Sequence, residues 1–305
     1  MKDKSVISII IPTFNEELYI ANTIDSLIAQ KTSHNFEIII VDGMSNDDTR
    51  KIIKQKIIDY PQKNIIILDN KRKIVSSGFN IGLSHSKGEI IIRVDGHTKL
   101  DKYYIENCVS TIKKIDVECV GGPTKHISNT FIGNIIRIAQ TSTFGTGGVS
   151  FRKKVKKGKY VDTLAFGAYK RAVFNEIGGY DEELVRNQDD EFNFRLIQNG
   201  GKIWIDPKIK SNYYNRNSIL GLSKQYFQYG YYKILVMKKR NGIASLRHII
   251  PGIFVSLFLI FLSLTLFDVN RMFFLYFISL YTSVNIFFSI DSIMKESVNL
   301  MLSFI

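Results

Sequence analysis

Through the first hundred residues, short apolar runs alternate with amphipathic stretches, the pattern of a parallel sheet with crossover helices. Val6–Ile11 is an unbroken β-branched run, as expected of a strand buried on both faces. Glu16–Ala29 follows with Ile20, Ile24, Leu27 and Ile28 on one helical face. Phe36–Val41 reads as the second strand, and Ser45 with Asp48 forms an S-x-x-D capping pattern into a helix carrying Ile52, Ile53 and Ile57. Ile65–Leu68 and Glu89–Val94 read as the third and fourth strands. Between them a helix runs through Val75, Phe79 and Leu83 toward Gly88. Asp101–Lys114 is the next helix, with Ile105, Cys108, Val109 and Ile112 inward.

From Gly121 the alternation breaks down, and Gly121-Gly122-Pro123 and Gly145–Gly148 read as loops. Order returns with a helix over Arg171–Ile177 closed by Gly178-Gly179, and another over Asp190–Gln198 closed by Asn199-Gly200. Ile203–Ile205 predicts a strand, and Ser218–Lys239 an amphipathic helix with Ile219, Leu222, Tyr226 and Ile234 among its apolar positions. Next, His248–Phe267 and Met272–Ile290 are each about long enough to cross a bilayer's hydrocarbon core. Pro251 sits in the first turn of the earlier one, where its missing N–H costs little. The short connector Asp268–Arg271 makes the pair a helical hairpin, spanning or re-entrant.

Composition sharpens this division. Hydrophobic residues make up 45% and aromatics 12%, enough for a sizeable core and too much for disorder. The 305 residues accommodate one large domain and an appendage: residues 1–217, an interfacial region 218–246, and a membrane hairpin with its tail, 247–305. The net charge of +13 is concentrated in Arg152–Lys159 and in Lys238-Lys239-Arg240. The second block adjoins the apolar tail, which fits anionic lipid better than nucleic acid and, against the lone Arg271, places the large domain on the cytoplasmic side of a cell membrane. The first block reads either as a solvated loop or as a contact for lipid or an anionic acceptor. Cys108 and Cys119 have no metal-ligand spacing and read as buried free thiols. Val6–Ile11 is too short for the core of a secretory signal.

In an open parallel sheet, ligands bind outside the carboxyl ends of the strands. Here those ends carry Pro12-Thr13-Phe14-Asn15-Glu16, Asp42, Asp69-Asn70-Lys71-Arg72 and Asp95-Gly96-His97, a polar rim of mixed charge. Such a rim suits a nucleoside diphosphate with a divalent ion. Asp42 can accept from a base N–H or a ribose hydroxyl. Asp95 and His97 lie two apart, so on extended chain both face one side and can hold one Mg²⁺ or Mn²⁺. Neither G-x-x-x-x-G-K-[ST] nor G-x-G-x-x-G follows the first strand, which argues against kinases, ATPases and dehydrogenases.

The stretch I-S-I-I-I-P-T-F-N-E-E, then E-I-I-I-V-D-G-M-S-N-D-D-T, resembles the opening of the family 2 glycosyltransferases with the GT-A fold. S-S-G-F-N-I-G-L-S-H-S-K-G-E-I-I-I-R-V-D-G-H resembles that family's approach to its metal-binding D-x-D motif. V-D-T-L-A-F-G-A-Y, R-N-Q-D-D-E-F-N-F-R-L and Q-Y-F-Q-Y-G-Y-Y-K are similar to the branch that builds succinoglycan-type exopolysaccharides. The likeness runs from about Ser5 to Lys233. It implies a mostly parallel GT-A sheet flanked by helices in residues 1–217, with Pro12, Thr13, Asn15, Glu16 and Asp42 around the donor and Asp95 on the metal. It places the general base at Asp189, with Asp190 the alternative, and a segment closing over donor and acceptor at Gln225, Gln228 and Tyr229. His97 stands where a second Asp is usual, Gln188 where Glu is usual, and Gln228-Tyr229 where Arg-Trp is usual.

What the resemblance implies is an inverting, metal-dependent transferase. It would move a sugar from a nucleotide-diphosphate donor, UDP-linked by preference, to a hydroxyl of a lipid-linked or growing cell-surface polysaccharide. The alternatives are a membrane-anchored binding or scaffold protein without catalysis, and a nucleotidyltransferase. The latter requires a basic, Gly-rich loop where Asn15-Glu16 stands.

Overall fold

Isoleucine explains the first strand's place in the sheet. In β1 (Ile7–Thr13) every residue is buried, and successive side chains point to opposite faces. Ile7, Ile9 and Ile11 enter one core while Ile10 enters another, so helices must cover both faces. Fully burying each isoleucine contributes about 1.5–3 kcal/mol relative to leaving it exposed.

The computed structural model describes residues 6–146, 149–152, 154–215, 217–240 and 249–302. Ser5, Gly147, Gly148, Lys153 and His248, used in the sequence reading, lie outside them. The chain forms two compact units: Met1–Ile127, Ser150–Asn215 and Ser223–Val236 make the first, and Ser128–Val149, Arg216–Leu222 and Met237–Ile305 the second.

In the first unit, β1 is followed by α1 (Ile20–Ile28), β2 (Phe36–Asp42), α2 (Thr49–Asp59), β3 (Ile65–Asp69), α3 (Val75–His85), β4 (Ile90–Arg93), β5 (Thr98–Leu100) and α4 (Tyr104–Ile115). Then come β6 (Cys119–Gly121) and β7 (Thr124–Ile127), with α5 (Phe131–Thr141) and α6 (Thr143–Thr146) following in the second unit. The first unit resumes with β8 (Lys159–Tyr160), β9 (Ala168–Lys170), α7 (Arg171–Ile177), α8 (Gln188–Gln198), β10 (Ile203–Ile205), β11 (Ser211–Tyr214) and the Ser223–Val236 stretch of α9 (Ile219–Lys239).

The larger sheet runs β3-β2-β1-β4-β9-β6-β10-β8, and a small one β5-β11-β7. Strands β1 to β4 are mutually parallel, but β9 pairs antiparallel with both β4 and β6, and β8 antiparallel with β10. One face is covered by α1, α2 and α4, the other by α3, α7 and α8. Packing of α3 on β1 is close: a Cβ at Gly82 would lie 2.4 Å from Ile10 Cγ2.

The sequence expectations are met for the first four strands and for α7 with its Gly178 terminus. Three need correction. Ser45 is not a helix cap: α2 starts at Thr49, because the Ser45 side chain is bonded to Asp42. The first helix starts at Ile20 rather than Glu16, whose neighbourhood is a turn. The region after Gly121 is not loop alone, since it holds β6's end, β7 and α5, and β9 follows in the middle of the sheet.

In the second unit, α10 (Ile250–Leu266) carries its Pro in the first turn and leads to α11 (Arg271–Leu302). Phe254 meets Tyr281 and Phe277, Phe258 meets Phe274, and Phe261 meets Phe273, so the two helices lie antiparallel. Over Arg271–Lys295, α11 is long and apolar enough to cross a bilayer. With 17 residues, α10 spans about 25 Å, short of the roughly 30 Å hydrocarbon core.

Candidate active site

Register puts the carboxyl ends of β1, β2 and β3 in line: Thr13 pairs with Asp42, and Asp42 with Asp69. Asp42 is fully buried and well satisfied. Its Oδ1 accepts from the Ser45 hydroxyl at 2.6 Å, and its Oδ2 from the Ser45 N–H at 3.0 Å and Arg50 Nη1 at 2.7 Å. The Arg50 guanidinium also donates to Asp69 at 2.8 Å, tying two strand ends together. A carboxylate has about four acceptor positions, and three of those on Asp42 are taken by Ser45 and Arg50.

Beyond β1 the chain turns through Asn15, whose φ of 53° is the left-handed region that Asn tolerates. Its N–H donates to Ser45 Oγ at 2.9 Å, and its Oδ1 accepts from the Asn46 N–H at 3.0 Å. Asn15 thereby fastens the β1 loop to the β2 loop. Glu16 reaches the other way, with Oε1 2.7 Å from His97 Nδ1. Pro12 is buried near the end of β1, with its Cβ toward Gly78 of α3.

The pairing of Asp95 with His97 differs from expectation. Gly96 and His97 form a turn rather than extended chain, and the two side chains take different partners. His97 meets Glu16, while Asp95 Oδ1 accepts from Arg93 Nη2 at 2.7 Å. Among the described residues, no three carboxylate, imidazole or thiol groups converge as a cation cage. A diphosphate-bound Mg²⁺ or Mn²⁺ needs only one or two carboxylates from the protein, and Asp95, a fifth exposed at the strand end, fits that mode.

Arg93, which the sequence reading missed, is the centre of the site. It is buried at the end of β4, and its Nη1 reaches the Ala165 carbonyl at 3.1 Å and Asp189 Oδ2 at 3.5 Å. A buried guanidinium between two carboxylates joins the rim to the start of α8. Burial works against its charge, yet Asp95, Tyr180 and Asp189 outweigh that and hold its pKa above the ordinary value. The available signal was a lone charge in the apolar run Ile90–Val94, since arginines that fold inside are almost always paired.

Asn187, also left-handed at φ 61°, turns the chain into α8, so that Asp189, Asp190 and Glu191 fill the first turn, where the helix dipole favours negative charge. Asp190 Oδ2 is held by Lys233 Nζ at 2.6 Å. The Asp189 carboxyl is pushed above the usual carboxylate range, chiefly by burial and further by Asp190 and Asp95, with Arg93 opposing. Helix α9 docks on the same segment. Gln228 Oε1 accepts from Arg186 Nε at 3.0 Å, the Tyr229 carbonyl from Asn187 Nδ2 at 3.1 Å, and the Tyr229 hydroxyl from Gln225 Nε2 at 2.9 Å. Gln225, Gln228 and Tyr229 are thus brought to the Asp189 segment. Arg186 places a guanidinium beside Gln228, the position where arginine was expected.

The profile of Glycosyl transferase family 2 matches residues 8–178. The chain is 33% identical over 240 residues to a dolichyl N-acetyl-α-D-glucosaminyl phosphate 3-β-D-2,3-diacetamido-2,3-dideoxy-β-D-glucuronosyltransferase of Methanococcus voltae, covering 76% of this chain and 74% of that protein. It is 28% identical over 245 residues to the succinoglycan biosynthesis protein ExoA of Rhizobium meliloti, covering 80% and 73%. Among solved structures, the mannosyltransferase PcManGT of Pyrobaculum calidifontis, in complex with GDP-Man and Mn²⁺, superposes with a TM-score of 0.60 at 16% identity, covering 81% of this chain and 67% of that one. S. aureus TarS 1–349 in complex with UDP gives 0.54 at 20% identity over 68% of this chain, which spans only 60% of that one. These two likenesses concern the fold, which is GT-A. With the family profile matched along more than half of its length and a relative sharing a third of aligned positions over three quarters of it, the chain belongs to glycosyltransferase family 2.

Proposed function

We propose that this glycosyltransferase inverts configuration as it transfers a sugar from a UDP-linked donor to a hydroxyl of a lipid-linked or polysaccharide acceptor, with Asp189 as general base. The carrying observation is the Asp95–Arg93–Asp189 bridge, which couples the strand end suited to the diphosphate with the first turn of α8. Asp42, Asn15, Glu16 and Thr13 would hold the nucleoside side of the donor. Asp95 would hold a Mn²⁺ or Mg²⁺, which when bound offsets the charge of the leaving diphosphate; His97 remains a proposed second ligand.

Asp189 is favoured over Asp190 on electrostatic grounds. The Lys233 ammonium sits 2.6 Å from Asp190 Oδ2 and occupies that oxygen. Asp189 has Arg93 at 3.5 Å and a raised pKa, closer to that of an effective base. In the transfer, the acceptor oxygen bonds to the anomeric carbon as the bond to the diphosphate breaks on the opposite face. The acceptor proton passes to the Asp189 carboxylate, and the nucleoside diphosphate leaves.

Anchorage in a cell membrane through α10 and α11, with the sheet on the cytoplasmic face, is part of this reading. The apolar α11 supports it, as does the basic run Lys238-Lys239-Arg240 against the lone Arg271. The names of the relatives, one acting on a dolichyl phosphate sugar and one in succinoglycan biosynthesis, support the acceptor class. The test incubates the full-length protein in membranes with UDP-, GDP- and dTDP-sugars, with and without Mn²⁺, and measures nucleotide release. Mn²⁺-stimulated release from a UDP-sugar is expected. Release from none of the panel would overturn the donor assignment, and equal release after chelation would remove the metal.

A further inference from the structure

The helix α5 is built inside out for a protein surface in water. Its buried positions are Gly133, Ile136 and Gln140, and Arg137 lies on the same side, its Nε donating to Asn134 Oδ1 at 3.2 Å. The opposite stripe is apolar and outward: Phe131 is 81% exposed, Ile135 52% and Ile132 42%, with Ile138 and Ala139 continuing the row. These positions recur at the i, i+4, i+8 spacing of one helical face, free of any charge. Thr130 fixes where the helix starts, its Oγ1 accepting from the Gly133 N–H at 3.1 Å. The exposed stripe is therefore a built face of a capped helix.

Its place in the second unit identifies what covers it. Both α5 and α6 pack on α11, and Phe144 of α6 stacks on Phe288 at 5.4 Å and lies 6.1 Å from Tyr281. In the antiparallel hairpin Phe254 lies opposite Tyr281, which sets Ile250, the start of α10, at about the level of residue 285, and Phe288 about one turn beyond. The next turn of α11 carries the Asp291–Lys295 ion pair at 2.6 Å. Phe144 therefore meets α11 at the end of its apolar stretch, the depth of a headgroup boundary. On α11 itself Ile286, Phe287 and Ile290 are exposed as well.

We propose that α5 lies in the plane of the membrane interface, with Phe131, Ile132 and Ile135 seated among lipid acyl chains. This rests on the reading of α10 and α11 as a membrane anchor and adds a segment of contact from the middle of the chain. Apolar patches of this kind mark interaction surfaces, and a charge-free one on a helix packed against a long apolar helix fits hydrocarbon.

Depth-dependent quenching tests it in the full-length protein. Single cysteines are introduced by Ile135→Cys on α5, Leu280→Cys on the exposed side of α11, and Ile58→Cys on the exposed end of α2. Cys108 and Cys119 are fully buried, so an NBD label goes to the new thiol. After reconstitution in phosphatidylcholine–phosphatidylglycerol vesicles, lipids with a doxyl quencher high or low on the acyl chain report depth. The expected result is loss of emission at residue 135 mainly to the shallow quencher, loss at 280 mainly to the deep one, and none at 58. If 135 behaves like 58 while 280 is quenched, the anchor stands and the α5 proposal fails. A blue-shifted but unquenched label at 135 also overturns it, in favour of a second protein copy or partner. An unquenched label at 280 removes the anchor and this proposal together.

Discussion

Replacing Asp189 and Asp190 separately by Asn isolates the base, because the two adjacent carboxylates have different partners. In Asp189→Asn the acceptor proton loses its destination. General-base catalysis contributes about 10²–10⁴-fold, so kcat falls by that factor, equivalent to about 2.7–5.5 kcal/mol. Donor affinity is unchanged, since Asp95 and Asp42 keep their contacts. In Asp190→Asn the Lys233 ammonium loses its ionic partner at 2.6 Å, which loosens α9 over the site but leaves the base; the loss is about tenfold or less. The pH dependence separates them further. The Asp189 carboxyl sits above the ordinary carboxylate range, so kcat/KM rises with pH through a value higher than an unperturbed Asp would give. The Asp190 charge is one of the causes raising it. Asp190→Asn therefore moves the acidic limb of the profile to lower pH. The assay is nucleotide release in vesicles, with donor affinity measured separately by nucleotide binding. An Asp189→Asn enzyme with more than about a tenth of wild-type turnover, or an Asp190→Asn enzyme as inactive as Asp189→Asn, would falsify the assignment.

Asp189→Asn should also raise the melting temperature at neutral pH. A carboxyl whose folded pKa exceeds its unfolded value lowers stability once pH rises through that interval, so the neutral amide relieves a cost that is absent in acid; equal melting curves at both pH values would contradict this. Arg93→Met leaves Asp95 and Asp189 without their shared cation and should cost about 3 kcal/mol in a denaturant titration. Gly82→Ala drives a methyl group into Ile10 and should cost about 1–3 kcal/mol by the same measurement, with donor binding retained. Asp42→Asn should weaken nucleotide binding and free Arg50; unchanged affinity would place the nucleoside elsewhere.

The parts of the fold legible in sequence were those with long, uniform patterns. Isoleucine runs in β1 and β2 announce strands buried on both faces, and topology then gathers Thr13, Asp42 and Asp95 at one edge. What escaped was short or relational. Strand β9 has three residues, too few for a period, and its strand character comes from being clamped between β4 and β6. The face of α5 looked like loop because glycines flank the region, although Thr130 and the spacing of Phe131, Ile135 and Ala139 carried the signal. Arg50, Arg93 and Lys233 matter because of which carboxylate each meets, and those partners lie on other elements. Asp95 and His97 were separated by a turn at Gly96 that an extended reading could not supply.

The insertion of β9 between β4 and β6 has a consequence for biosynthesis. As the ribosome releases the chain, β1 to β4 can assemble early, but the outer side of β4 stays unpaired until Ala168–Lys170 emerges. At about 5–20 residues per second that open edge persists for roughly 4–15 s. A bare strand edge recruits other strands, so nascent chains on neighbouring ribosomes are at risk of cross-pairing in this interval. Since β9 leaves the ribosome well before α10 does, the sheet can close before the apolar helices emerge.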